Sequence, residues 1–251
     1  MPTLEGLLLL FVAGVAAGVV SVLVSLASLI SYPALLAIGL PPVSANVTNT
    51  VALVFTGVGA ALGSRRELTD LRPVLVRLAV AAGLGGVAGA LLLLALPARA
   101  FELVAPLLVA GASVVVLAGP RLRERERFRP VGLRPGPVAG YTATAAYTGY
   151  FGAAGGVLAF AALSTIIDRP FHDVNAAKNT LMAVANGAAA AIFVVAGPVV
   201  WAYVIPLAAG MFAGGLVGPA IARRVDAAVL RVAVGTCGLA VAAVLAWATY
   251  S

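Results

Sequence analysis

Two short strings decide how this sequence folds: "SANVTNT" at residues 44–50 and "HDVNAAKNT" at residues 172–180. Each opens a long apolar run, and Asn49-Thr50 superimposes on Asn179-Thr180 with an offset of 130 residues. Amides and hydroxyls are costly in an apolar helix unless they meet a partner or a water-filled cavity. Their recurrence at one spacing points to two halves that face a common polar site. On a helix, Asn46, Asn49, Thr50, Leu53 and Thr56 share one face, and Asn175, Lys178, Asn179, Met182 and Asn186 share the matching face of the second copy.

The surroundings of both strings are greasy. Of 251 residues, 62% are hydrophobic and 10% charged, with a mean hydropathy of +1.09. Apolar stretches run 6–40, 43–63, 73–98, 100–120, 137–167, 181–222 and 227–249. About 20 residues span a bilayer, so the composition specifies an all-α polytopic membrane protein. No residues are left over to build a soluble surface. The start "MPTLEGLLLLFVAG" lacks the basic region and cleavage site of a secretory signal, so the first segment is expected to stay in the mature fold. Cys237 is the only cysteine, which excludes an intrachain disulfide.

The charged linker "GPRLRERERFRPVGLRPG" (119–136) divides the chain. We expect an N-terminal transmembrane repeat at 1–120, a basic cytoplasmic linker at 121–136 and a C-terminal transmembrane repeat at 137–251, together one integral membrane domain. Segment 6–40 is too long for one crossing, because 35 helical residues extend about 52 Å against a hydrocarbon core of about 30 Å. Breaks are expected within "SLASLISYP" (25–33) and, in the long segment 137–167, within "GYFGAAGG" (149–156). With one re-entrant or broken hairpin helix plus three transmembrane helices in each half, about eight hydrophobic segments in all, the halves become inverted repeats. The loops at 64–72, 119–136, 163–173 and 222–228 then share one side, collecting Arg65, Arg66, Arg72, Arg121, Arg123, Arg125, Arg127, Arg129, Arg134, Arg169, Arg223 and Arg224. Arg99 stands alone opposite. Positive charge marks the cytoplasmic side, so this arrangement fits the charges better than eight straight crossings. The net charge of +7 therefore reports orientation in an inner (cytoplasmic) membrane and not nucleic-acid binding. The glycines of "AAGLGGVAGA" (81–90) and "AAGMFAGGLVGPA" (208–220) are read as helix-packing positions.

Several stretches are similar to the TauE/SafE-type sulfite and organosulfonate exporters, a group of small bacterial permeases. They are "SLISYPALLAIGLPPVSANVTNTVALVFTGVGAALGSRREL" (28–68), "GYFGAAGGVLAF" (149–160), "NAAKNTLMAVANGAAAAIFVVAGPVVW" (175–201) and "GGLVGPAIARR" (214–224). The likeness covers nearly the whole chain and is weakest over 97–136. It implies export of sulfur-containing or related organic anions such as sulfite or sulfonates. One departure is local: the family's glycine-rich turn in the first repeat is replaced by "VLVSLASLIS" (22–31), with no glycine.

Inverted-repeat transporters build their sites where the repeats meet, from broken helices. The candidate substrate-binding set is therefore Asn46, Asn49, Thr50, Gly149, Gly152, Gly155, Gly156, Asn175, Lys178, Asn179 and Asn186. Each has a plainer reading. The asparagines and threonines could join helices by hydrogen bonds, and the glycines could pack helices instead of forming a tight turn with open backbone amides. Lys178, the only lysine, could attract an anion or snorkel to the surface from a shallow position. His172, the only histidine, reads better as an interfacial loop residue than as a proton-coupling group. No acidic residue lies deep in a span, and neither a metal cluster nor a phosphate loop is present, so no cofactor and no catalysis are expected. The expected partners are a small anion and the lipid bilayer, with room for a coupling proton or sodium ion and for a homodimer. An anion channel, or a scaffold or assembly protein that transports nothing, are the competing readings.

Overall fold

The computed structural model describes residues 3–125, 132–222 and 227–250. The middle of the charged linker, with Arg127 and Arg129, lies outside the described residues, as do Arg223 and Arg224. The described residues form helices and no strand. The first half runs α1 (Leu4–Val24), α2 (Ser28–Ala37), α3 (Pro42–Gly63), the short α4 (Arg65–Leu68), α5 (Arg72–Ala95) and α6 (Ala98–Arg125). The second runs α7 (Pro135–Tyr150), α8 (Gly155–Ser164), α9 (Phe171–Ala196), α10 (Trp201–Ala222) and α11 (Ala227–Tyr250). Seven helices are long and apolar enough to cross a membrane, while α2 and α8 have only 10 residues each. The chain is an all-α polytopic membrane protein.

Local sequence explains where these helices begin and stop. The Thr3 hydroxyl accepts the Gly6 N–H and caps α1. Proline stands in the first turn of α3, α5 and α7, where its missing N–H costs no helical bond. Both long segments break within the expected windows, α1 from α2 at Ser25–Ala27 and α7 from α8 at Phe151–Ala154. The 181–222 run divides between Ala196 and Trp201 into two spans. Large apolar side chains such as Val12, Val76, Leu84, Ile205 and Val244 remain more than half exposed, as a lipid-facing surface requires.

Helix pairing follows small residues. Gly14 and Gly18 of α1 meet Leu207–Gly215 of α10 in rising order, so these two helices run parallel. Gly85 and Gly89 of α5 meet Thr142–Tyr150 of α7 in the same sense. By contrast α3 and α9 run antiparallel, with Val47 beside Gly197 and Gly57 beside Ala183. The α1 glycines were not among the packing positions singled out from sequence, although their four-residue spacing matches that of Gly210 and Gly214. An aromatic cluster fixes the second break against the first half: the Phe151 ring lies 5.5 Å from Tyr32 on α2 and 5.7 Å from Phe101 on α6, both edge-on.

A Cβ placed on Gly18 would stand 2.6 Å from the Met211 carbonyl oxygen, against backbone that cannot move alone. Gly18→Val is therefore expected to force α1 off α10 and destabilise the protein by about 1–3 kcal/mol. Thermal unfolding in detergent should show a lower midpoint. Val12→Leu, on the exposed face of the same helix, should leave it unchanged.

Candidate functional site

Both helix breaks converge on one buried cavity. The end of α1 contributes Ser21 and Ser25, the start of α2 contributes Ala27 and Ser28, and α3 contributes Leu53, Thr56 and Gly57. The second half contributes Thr148 of α7, Gly152 in the turn and Gly156 of α8, together with Lys178, Asn179, Met182, Ala183 and Asn186 of α9. The breaks touch: a Cβ on Gly156 would lie 2.6 Å from the Ser25 Cβ. Space open to water amounts to about 30 Å³, room for roughly two water molecules.

A helix that ends inside a membrane leaves carbonyls without intrahelical partners. Here each half supplies an asparagine to the other. The Asn46 amide donates to the Tyr150 carbonyl at the end of α7, 2.9 Å away, and the Asn175 amide donates to the Val22 carbonyl in the last turn of α1, 3.3 Å away. Asn49 acts closer to home. Its side chain accepts from Ser31 at 2.6 Å and donates to Ser28 at 3.3 Å, both on α2. Thr50 and Thr180 donate to carbonyls four residues back in their own helices, at 2.9 and 3.0 Å. The three asparagines thus hold the broken helices in place, the two threonines bond only within α3 and α9, and none of the five lines the cavity.

Lys178 is 1% exposed, which rules out snorkelling. Its ammonium donates to the Ser25 hydroxyl at the α1–α2 break, and it is the single charged side chain lining the cavity. A cation beside the last turn of α1 also meets the negative end of that helix dipole. At the repeat-equivalent position, Thr48 does something different: its hydroxyl accepts the Val200 N–H at 3.1 Å, pinning the segment between α9 and α10. The breaks are related but not identical in backbone. Ser25 has φ 63° in the first, while the second has Gly152 at φ 78° and Ala154 at φ 53°. The first turn thus keeps the left-handed conformation its missing glycine would have eased, and the serine hydroxyl gained there faces Lys178.

A model of the family described as "Sulfite exporter TauE/SafE" matches residues 10–245. The chain belongs to the TauE/SafE family. It is also 28% identical over 223 residues to the "Probable membrane transporter protein YfcA" of Escherichia coli (strain K12), covering 86% of this chain and 80% of that protein. To a "Probable membrane transporter protein" of Haemophilus influenzae it is 26% identical over 218 residues, covering 84% and 83%. No solved structure matches. A TauE/SafE protein is a membrane transporter and not an enzyme, and this chain is a multi-pass one.

Within that TauE/SafE frame, the sequence-derived set separates into two groups. Gly152, Gly156, Lys178, Asn179 and Asn186 line the cavity. Asn46, Asn49, Thr50 and Asn175 form the hydrogen bonds that brace it, while Gly149 packs against Gly86 and Gly155 against Thr148. Asn49 and Asn179 therefore hold equivalent positions in sequence but differ in contact, one sealed against α2 and the other on the cavity wall. Sequence reading missed Ser21, Ser25, Ser28 and Thr148 on the wall, and placed Thr56 on the polar face without assigning it a role. The serines lie four and three residues apart around a break, a pattern that attention to asparagines overlooks. His172 is exposed in the first turn of α9, away from the cavity lining.

A left-handed backbone costs a residue with a Cβ about 1–2 kcal/mol relative to glycine. Ser25→Ala keeps that strain and loses the hydroxyl, whereas Ser25→Gly loses the hydroxyl and relieves the strain. We expect melting midpoints in detergent to place Ser25→Gly above Ser25→Ala by the equivalent of about 1 kcal/mol. Equal midpoints would show that the turn relaxes.

Proposed function

We propose that this protein is a secondary transporter that exports small sulfur-containing or organic anions, such as sulfite or sulfonates, across the cytoplasmic membrane. The observation that carries this reading is Lys178. A single buried ammonium at the meeting point of two broken helices gives an anion its counter-charge. The starts of α2 and α8 add positive helix ends, suited to the same ligand. Lining residues contribute no carboxylate, so the charge of the wall is positive. The similar proteins from E. coli and H. influenzae carry "membrane transporter" in their descriptions, and the family description names sulfite export.

In this reading the halves 1–120 and 137–251 are inverted repeats joined by the cytoplasmic linker at 121–136, and the polar strings recur because one site has two walls. The parallel pairings α1 with α10 and α5 with α7 support it, as they exchange under a twofold relation between halves. The antiparallel pair of α3 and α9 lies on that axis. A cavity with only about 30 Å³ open to water favours a carrier that opens to one side at a time over a channel, which needs a continuous water path. Bracing of the breaks by Asn46, Asn49 and Asn175 favours it over a scaffold, which has no use for a charged, buried cavity.

Lys178→Met keeps much of the apolar stem and removes the charge. A hydrogen bond to a charged group is worth about 1.5–3 kcal/mol, so the Kd for a bound sulfonate should rise about tenfold to a hundredfold. Titration of purified folded protein in detergent measures it, and an unchanged Kd would remove the anion site from Lys178. Orientation has its own test. With Cys237 removed, cysteines at Ser64 and Ile167 should label from the cytoplasmic side and one at Thr3 from outside. Labelling of residues 64 and 167 from opposite sides would overturn the inverted arrangement.

A further inference from the structure

Two residues that line the cavity carry oxygens that nothing in the protein satisfies. Thr56 and Asn186 are both 3% exposed, and Thr56 Oγ1 and Asn186 Oδ1 have no hydrogen-bond partner; the Tyr32 hydroxyl and Asn46 Oδ1 share that lack but lie on residues outside the lining. Thr56 and Asn186 stand 130 residues apart, the same offset that relates Asn49 to Asn179, so they are equivalent positions on α3 and α9. Other helical threonines behave differently: Thr50, Thr142, Thr144, Thr148, Thr180 and Thr236 all donate to the carbonyl four residues back. The Thr56 hydroxyl does not. A buried polar atom without a partner is expensive, and two at equivalent positions on one cavity indicate a ligand.

The chemistry of the two oxygens narrows what that ligand is. An amide oxygen only accepts hydrogen bonds, while a hydroxyl either donates or accepts. Asn186 therefore requires a hydrogen from its ligand, and Thr56 follows whichever role the ligand leaves. A metal cation is disfavoured, because the cavity already holds the Lys178 ammonium. A proton-free oxyanion has no hydrogen for Asn186. Water can satisfy both oxygens at rest, but a ligand that displaces water must reproduce its bonds or lose affinity.

We infer that the cavity selects a small monoanion carrying its own hydrogen-bond donor, with the anionic group at Lys178 and Asn179 and the donor at Asn186 Oδ1 and Thr56 Oγ1. The inference rests on the anion reading above and specifies the other end of the ligand. The ends are two turns apart on α9, about 12 Å between Cα atoms, a span shortened by the side chains that reach into it. One positive charge matches one negative charge, so a dianion is under-compensated. An acid O–H or a hydroxyl would each supply the donor and leave the ligand a monoanion. A proton bound to the substrate would then cross with it, in a cavity whose lining has no carboxylate to carry one.

The test uses matched sulfonates on the purified full-length protein: ethanesulfonate against 2-hydroxyethanesulfonate, and propanesulfonate against 3-hydroxypropanesulfonate. In at least one pair the hydroxylated member should bind about tenfold or more tightly. Thr56→Val with Asn186→Leu should reduce that preference to near parity while still binding the plain sulfonate. Lys178→Met should weaken both members alike and preserve their ratio. If the double variant does not fold, Thr56→Val alone, nearly isosteric, should still narrow the ratio. Equal affinity within both wild-type pairs, or a ratio untouched by either variant, overturns the inference while leaving the anion site standing. Binding of none of the sulfonates overturns both.

Discussion

A helix interrupted inside a membrane exposes carbonyls at one cut end and amides at the other, and hydrocarbon offers neither a partner. This protein makes two such interruptions, and the rest of its architecture follows from satisfying them. The solution is reciprocal: Asn46 serves the end of α7 and Asn175 serves the end of α1, so each half bonds the cut helix of the other. Asn49 and Ser31 tie α2 to α3, and Phe151 packs its ring against Tyr32 and Phe101. The polar groups that a hydrophobic chain does not need for insertion are the ones that bond across its helix breaks.

Equivalent positions have diverged where the cavity needs them to. Lys178 and Thr48 occupy matching places on α9 and α3, yet one brings a charge to a helix break and the other holds a loop N–H. Ser25 and Gly152 share a left-handed turn, but only the serine offers a hydroxyl to the ammonium. Thr56 and Asn186 match in position and in lacking a partner, and differ in what they can donate. The cavity is thus built on near-symmetric scaffolding with asymmetric chemistry. A ligand whose two ends differ suits such a wall better than a symmetric one.

Dense small-residue packing sets the distances within this scaffolding. Glycines on α1 and α10, and on α5 and α7, bring backbones close enough that an added methyl would overlap a carbonyl. Association inside a bilayer gains little from excluding apolar surface, because lipid is apolar too, so close packing and hydrogen bonding carry the assembly. Leu53, Met182 and the pair Gly57 and Ala183 close the apolar part of the cavity where α3 crosses α9.

Length, hydropathy and the position of polar strings determined the membrane class, the two breaks, and a candidate set that includes Lys178, Asn179 and Asn186. These features are local: a run too long for the bilayer must break, and a polar residue in an apolar run must face a partner or a cavity. Which of the two it faces is a tertiary matter. Asn49 and Asn179 are indistinguishable by sequence, and only the approach of α2 to α3 turns the first into a brace while the second stays on the wall. The depth of Lys178, counted along one helix, suggested a residue within reach of the surface. The packing of α1 and α8 around it buries it, because depth depends on neighbours from the other half that no count along α9 can see.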